Sequence, residues 1–186
     1  TLASPHSTAE ELFLAANLTR GLGSQNIDTR LRAADFQTDG KARWLGTSVA
    51  SLTTLQRALV IGSNIRKDQP LLAQRLRQAV RNGGKVNALN AQAYDWAMPV
   101  NNTLVADAAN WVQALADIAA AVGAITGAAV PVAGNASDAT AQAIAKSLTG
   151  GERKAILLGN AAAHHAKASS LPLSVGGCTL THSLPA

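Results

Sequence analysis

Apolar residues fall into two patterns along this chain, one with helical spacing and one of short unbroken runs. Leu14, Leu18 and Leu22 recur every fourth position with Ala15 beside them, which predicts one apolar helical face. Ser7 with Glu10, or Thr8 with Glu11, forms a capping box ahead of that helix, and Gly21 and Gly23 stop it just after Arg20. Ser24 to Gly40 is polar and reads as a loop.

The clearest unit runs from Arg57 to Asn90. Ala58-Leu59-Val60-Ile61 is apolar without alternation, as a strand buried on both faces would be, and Gly62-Ser63-Asn64 bounds it. Asp68-Gln69-Pro70 opens a helix whose inward face is Leu72, Leu76, Ala79 and Val80, and Asn82-Gly83-Gly84 closes it. Lys85 to Leu89 is a second strand. Strand, helix and strand joined by short loops make a βαβ unit with parallel strands. A third helix is expected from near Asn102, because Leu104, Ala108, Trp111, Val112, Leu115 and Ala119 keep helical spacing. Gly123 to Ala136 reads as a connection. Ser137 or Asp138 caps a fourth helix, with Ala141, Ile144, Ala145 and Leu148 inward and Gly150-Gly151 at its end. Ala155 to Asn160 is then a third strand, followed by an Ala-rich helix to about Ser169.

One echo stands out. Ala58 to Asn64 and Ala155 to Asn160 share the form Ala, three aliphatics, Gly, then Asn, and each precedes a helix. Any buried strand entering a tight turn has this form. The sharper reading is two related strand-loop-helix units in one sheet, with both loops at the edge where open α/β sheets bind ligands.

Composition narrows the function classes. The 186 residues are 47% hydrophobic and 15% charged, which sets the chain apart from a disordered tail. Aromatics are only 3%, and no run of five basic residues accompanies the net charge of +5, so no nucleic-acid partner is expected. The apolar stretch from Ile118 to Gly134 is interrupted by Pro131 and is shorter than the ~20 residues a bilayer needs, so no membrane span is expected either. No signal peptide is visible at the start, and the chain opens on Thr1 rather than Met, for which a fragment or a processed chain is the expectation. The single cysteine, Cys178, forms no internal disulfide and has no flanking charge to activate it.

Residues 58 to 79, ALVIGSNIRKDQPLLAQRLRQA, resemble a known family. The strand ending in Gly62-Ser63-Asn64, then Arg66, Asp68 and Pro70, is similar to the molybdopterin-oxidoreductase-like portion of the large peripheral iron–sulfur subunit of NADH:quinone oxidoreductase, respiratory complex I. Ser4-Pro5 with Ala9 to Leu12, Leu18 to Gly23, Asn26 to Arg32, and Leu157 to Asn160 with His164-His165 also resemble that family, in the expected order. The resemblance spans residues 4 to 168. Two features depart from it: the cysteine motifs that hold the family's clusters are absent, and the tail 171–186 does not look like the family's continuation.

The resemblance implies an α/β fold of the molybdopterin-oxidoreductase (formate dehydrogenase/DMSO reductase-like) type, a mainly parallel sheet flanked by helices. Residues 1–39 would be a helix and loop packed on the sheet. Residues 40–122 and 137–170 would be two sub-regions facing one sheet edge, and 171–186 a tail of uncertain origin. It further implies a scaffold and assembly role in electron transfer from NADH to quinone. No redox centre or other cofactor would lie in this segment, and the iron–sulfur clusters would lie in the parent subunit outside this chain. The partners would be the other subunits of the oxidoreductase, on the cytoplasmic side of the bacterial inner membrane.

The candidate site is Gly62, Ser63, Asn64 and Arg66, with Gly159 and Asn160 behind it. A glycine after a strand lets backbone N–H groups approach a phosphate, and Arg66 or Lys67 can pair with the anion. In the molybdopterin enzymes, comparable loops hold the nucleotide part of the cofactor, which the complex I subunit is regarded as having lost. The two readings are therefore a retained structural turn and a nucleotide- or anion-binding loop. Other motifs carry less. Gly21-Leu22-Gly23 lacks the third glycine of a dinucleotide fingerprint and follows a helix. Glu10 with Glu11 and His164 with His165 are adjacent pairs, which point in different directions on a helix. Arg66, Lys67, Arg75, Arg77 and Arg81 form either a solvated face or a docking face for an acidic partner.

Overall fold

The computed structural model describes residues 1–4, 7–29, 47–130, 132–168 and 181–183. Contacts divide the chain into two units, Thr1–Ala34 and Asp35–Ala186. In the first, helix α1 (Ala9–Gly21) is capped in the Thr8–Glu11 register, with both halves of the box made. Leu14, Leu18 and Leu22 are exposed, so the apolar face is not turned into this unit. The buried side carries Thr19 instead, whose hydroxyl donates to the Ala15 carbonyl and meets Thr1 Oγ1.

The second unit is built on a parallel sheet. Its strands are β1 (Arg57–Ile61), β2 (Lys85–Asn90), β3 (Asn102–Val105), β4 (Lys154–Leu158) and β5 (Thr181–Ser183), in the order β3-β2-β1-β4-β5. Its helices are α2 (Ile65–Asp68), α3 (Pro70–Arg81), α4 (Trp111–Thr126), α5 (Ala139–Thr149) and α6 (Asn160–Ala163). The unbroken apolar runs are explained by burial on both sheet faces. Leu59, Ile61, Leu89 and Ile156 pack with Leu115, Ile118 and Ile144 on the α4–α5 side. Ala58, Val60, Val86 and Leu157 pack with Leu72, Leu76 and Trp96 on the other. The fold is α/β, as expected. The two echoed segments are neighbours: Ala58, Leu59, Val60 and Ile61 pair one to one with Ala155, Ile156, Leu157 and Leu158.

Two expectations are corrected. Asn102 to Val105 is a strand, paired with Asn87–Asn90 of β2, and not the start of a helix. The helix waits for Trp111, after a 3₁₀ turn capped by the Asp107 carboxylate, which accepts from Ala109 N at 3.1 Å. Leu104 and Ala108 thus share a spacing but not an element. The last helix, expected to reach Ser169, is the single turn α6, and turns follow it. Of the tail, only 181–183 lie within the described residues, and Cys178 lies outside them.

One stretch, Ala108–Thr126, is long and apolar enough to cross a membrane by length and composition. Here its Trp111, Leu115 and Ile118 side packs into the core on the sheet.

Asn87 is the polar exception in the core. It is fully buried in β2, and its Nδ2 donates to the Ala58 carbonyl and to Ser147 Oγ of α5, at 3.3 and 3.1 Å. Its Oδ1 accepts from Asn102 Nδ2 at 2.8 Å and from Asn101 Nδ2 at 3.4 Å. One amide thereby ties β2 to β1, to α5 and to the start of β3. Asn87→Leu keeps the volume but leaves the buried Ser147 hydroxyl without its donor and takes one acceptor from Asn102 Nδ2, which keeps the Ala143 carbonyl. Each buried group left unpaired costs about 1–3 kcal/mol, so a loss of about 3 kcal/mol is expected. Urea unfolding measures it, and Ser147→Ala is expected to cost about 1 kcal/mol, having removed one bond only.

Candidate functional site

The sheet's strand order reverses between β1 and β4: the chain steps outward through β2 and β3, then returns to the other side of β1. Open α/β sheets place ligands outside the carboxyl ends of strands at such a switch point. Gly62-Ser63-Asn64 and Gly159-Asn160 leave β1 and β4 at that spot, so the structure brings both predicted loops together.

The loops touch through their backbones. Gly62 has φ +64°, a left-handed conformation that glycine adopts without strain, and it turns the chain out of β1. Its N–H donates to the Leu89 carbonyl at 2.9 Å, and its own carbonyl accepts from Ala161 N at 3.0 Å. Gly159 N donates to the Ile61 carbonyl at 2.8 Å, and Ser63 N to Asn90 Oδ1 at 2.8 Å. A Cβ at Gly62 would lie 2.6 Å from Ala162 N and 2.8 Å from the Trp111 ring. A Cβ at Gly159 would lie 2.2 Å from the Ser63 Cβ.

Trp111 closes the α4 side of this junction. It is buried, its Nε1 donates to the Ala106 carbonyl at 2.9 Å, and its ring stacks on His165 at 5.9 Å between centroids. His165 Nδ1 accepts from the Lys167 N–H at 3.0 Å, so the proton sits on Nε2, which donates to the Ala108 carbonyl at 2.9 Å. His164 and His165 are therefore not a paired ligand set. Among the described residues there is no group of three or more His, Cys, Asp or Glu able to hold a metal ion.

The side chains are engaged as well. Ser63 is buried, and its hydroxyl donates to Asp68 Oδ2 at 2.7 Å. Arg66, the expected partner of an anion, is paired with Asp95 instead. That carboxyl also accepts from Ala97 N at 3.0 Å, and the Ala97 bond first, then Arg66, hold it below its ordinary value of 3.8. Asn64 and Asn160 are half-buried. One donor stands apart: Asn90 is buried at the end of β2, its Oδ1 is used by Ser63, and its Nδ2 has no partner.

Residues 1–172 match the family described as molybdopterin oxidoreductase. The chain belongs to the molybdopterin oxidoreductase family. No curated protein matches it. The family name implies a pterin cofactor, whose phosphate-bearing part would need unused N–H groups at these loops. In this molybdopterin oxidoreductase domain the amides of Gly62, Ser63, Gly159 and Ala161 are all spent on protein acceptors. The helices that follow are four residues each, too short to aim much dipole at an anion. These four amides therefore offer that group no donor.

Sequence reading missed Asn90, Asp95 and Trp111. An asparagine ending a buried strand, as Asn64 and Asn160 follow theirs, was the available signal for Asn90. Trp111 was visible only as one apolar position of a helix.

Proposed function

We propose that this chain is a segment of the large peripheral iron–sulfur subunit of NADH:quinone oxidoreductase, serving as scaffold in electron transfer from NADH to quinone. It carries no redox centre, and the clusters lie elsewhere in the parent subunit. The other subunits hold it at the cytoplasmic face of the bacterial inner membrane without a span of its own. The family match over residues 1–172 and the resemblance at residues 58 to 79 support this reading. The observation that carries it is the closure of the switch point, where protein acceptors take the four loop amides. A turn kept for its shape has no need of free donors.

Affinity purification of the tagged full-length parent from its own cells, with mass spectrometry of what is retained, tests the proposal. NADH-oxidising and quinone-side respiratory subunits are expected. Their absence, with a nucleotide-bearing cofactor retained, would contradict it.

A second reading, a nucleotide- or anion-binding module related to molybdopterin-dinucleotide-binding domains, is favoured by the unpaired Nδ2 of Asn90 beside Ser63. A buried donor without an acceptor costs about 1–3 kcal/mol, which a ligand acceptor would recover.

A further inference from the structure

The opposite edge of the sheet, where the strands begin, carries chemistry that the switch point lacks. The first residues of three neighbouring strands stand in register there: Lys85 of β2, Arg57 of β1 and Lys154 of β4. Arg153 precedes the last of them. An open pocket of about 370 Å³ is lined by Arg57 and Arg153, together with Gln56, Asn82, Gly84 and Gly151. That volume lies at the lower end of the range for small-molecule sites, about 300–1,000 Å³.

Both guanidinium groups are held by carbonyls and not by carboxylates. Arg57 Nε donates to the Ser147 carbonyl at 2.8 Å, and Nη1 to the Gln56 carbonyl at 2.6 Å. Arg153 Nε donates to the Thr54 carbonyl at 2.8 Å. Each arginine is thus fixed in place while its charge stays unneutralised. Among the described residues the one ion pair, Arg66–Asp95, belongs to the other edge. The C-terminal ends of α3, α4 and α5 come down at this edge, each worth about half a negative charge, and Glu152 adds one more; against four cations, an excess above one charge remains. Among the described residues, Arg57 Nη2, both Nη groups of Arg153 and the Asn82 side-chain amide meet no acceptor and remain as donors. Arg153, with both Nη groups open, and Arg57, with Nη2 open, both line this one small pocket, and two such cations suit a ligand with two adjacent anionic centres.

We propose that the pocket between Arg57 and Arg153 at the N-terminal edge of the sheet binds a diphosphate group. The group is either free inorganic diphosphate or the diphosphate of a nucleotide. The site does not depend on the reading given above for the switch-point loops.

Thermal unfolding of the whole chain at constant ionic strength tests it, with pyrophosphate, ADP and adenosine as probes. Pyrophosphate in excess is expected to raise Tm by about 3 °C or more, since a ligand that binds only the folded chain stabilises it. ADP without a shift by pyrophosphate would point to the nucleotide as source, and equal shifts to the diphosphate alone. Adenosine is expected to do nothing. Arg153→Gln removes one exposed hydrogen bond and is expected to weaken pyrophosphate binding about tenfold, the loss of one charge-assisted fork. Arg75→Gln, on the exposed side of α3, removes the same charge and is expected to leave binding unchanged. No shift with pyrophosphate or ADP, an equal shift in Arg153→Gln, or an equal shift with sodium chloride alone would overturn the proposal. Displacement of the diphosphate only by an acidic peptide of higher affinity would assign the surface to a protein partner and also overturn it.

Discussion

Gly62→Ala is expected to lower the unfolding free energy by about 2–5 kcal/mol, the sum of two separate penalties. The first is conformational: φ at Gly62 is +64°, and a side chain in the left-handed region costs roughly 1–2 kcal/mol. The second is steric. The new Cβ would stand 2.6 Å from Ala162 N and 2.8 Å from the Trp111 ring, and the first of these is backbone that cannot rotate away. Overpacking of this kind costs typically about 1–3 kcal/mol. Gly159→Ala separates the two, because Gly159 has φ −86° and carries only the steric penalty, from the Ser63 Cβ at 2.2 Å. Chemical denaturation of both variants is the measurement. A Gly62→Ala protein within about 1 kcal/mol of the parent would mean that the ends of β1 and β4 are not in contact as described.

Trp111→Ala is expected to cost about 3–5 kcal/mol, the usual toll for deleting a buried aromatic, and to lower Tm by roughly 6–20 °C for a domain of this size. The ring fills the space beside Gly62, so its loss leaves a cavity against the switch point. Indole added to the variant is expected to restore part of the lost Tm, because an apolar cavity of that shape stays dry and takes an apolar guest. Trp111→Phe is expected to cost less, losing the bond from Nε1 to the Ala106 carbonyl but keeping most of the ring contact. If Trp111→Ala is as stable as the parent, the junction is not plugged by this side chain.

Much of the sheet is legible in the sequence, for a physical reason. β1, β2 and β4 are buried on both faces, so β1 and β4 are apolar runs closed by glycine, and β2 is one interrupted by Asn87 and closed by Asn90. The echo between Ala58–Gly62 and Ala155–Gly159 is legible too, and it corresponds to direct pairing in register. β3 is not legible, because its half-exposed residues happen to extend the helical spacing of α4, and only Asp107 marks the true helix start. The gathering of Gly62, Ser63, Gly159 and Asn160 at one edge follows from the βαβ pattern. The engagement of the Gly62, Ser63 and Gly159 amides by protein acceptors does not, since Leu89 and Asn90, which take the first two, and Ile61, which takes the third, come from distant parts of the chain. A strand-Gly-Ser-Asn sequence reads the same whether its amides face a phosphate or a neighbouring strand. Arg66 illustrates the same limit: nothing local tells that Asp95 will meet it.

The amides of Gly62, Ser63, Gly159 and Ala161 are closed into the protein. Hydrogen exchange at Gly62, Ser63, Gly159 and Ala161, followed by NMR with and without a guanine nucleotide, tests it most directly. Slow exchange is expected at all four, with opening free energies close to those of the core strands and unchanged by the nucleotide. Fast exchange at these four in the free protein, slowed when the nucleotide is added, would contradict it and make the switch point a binding site.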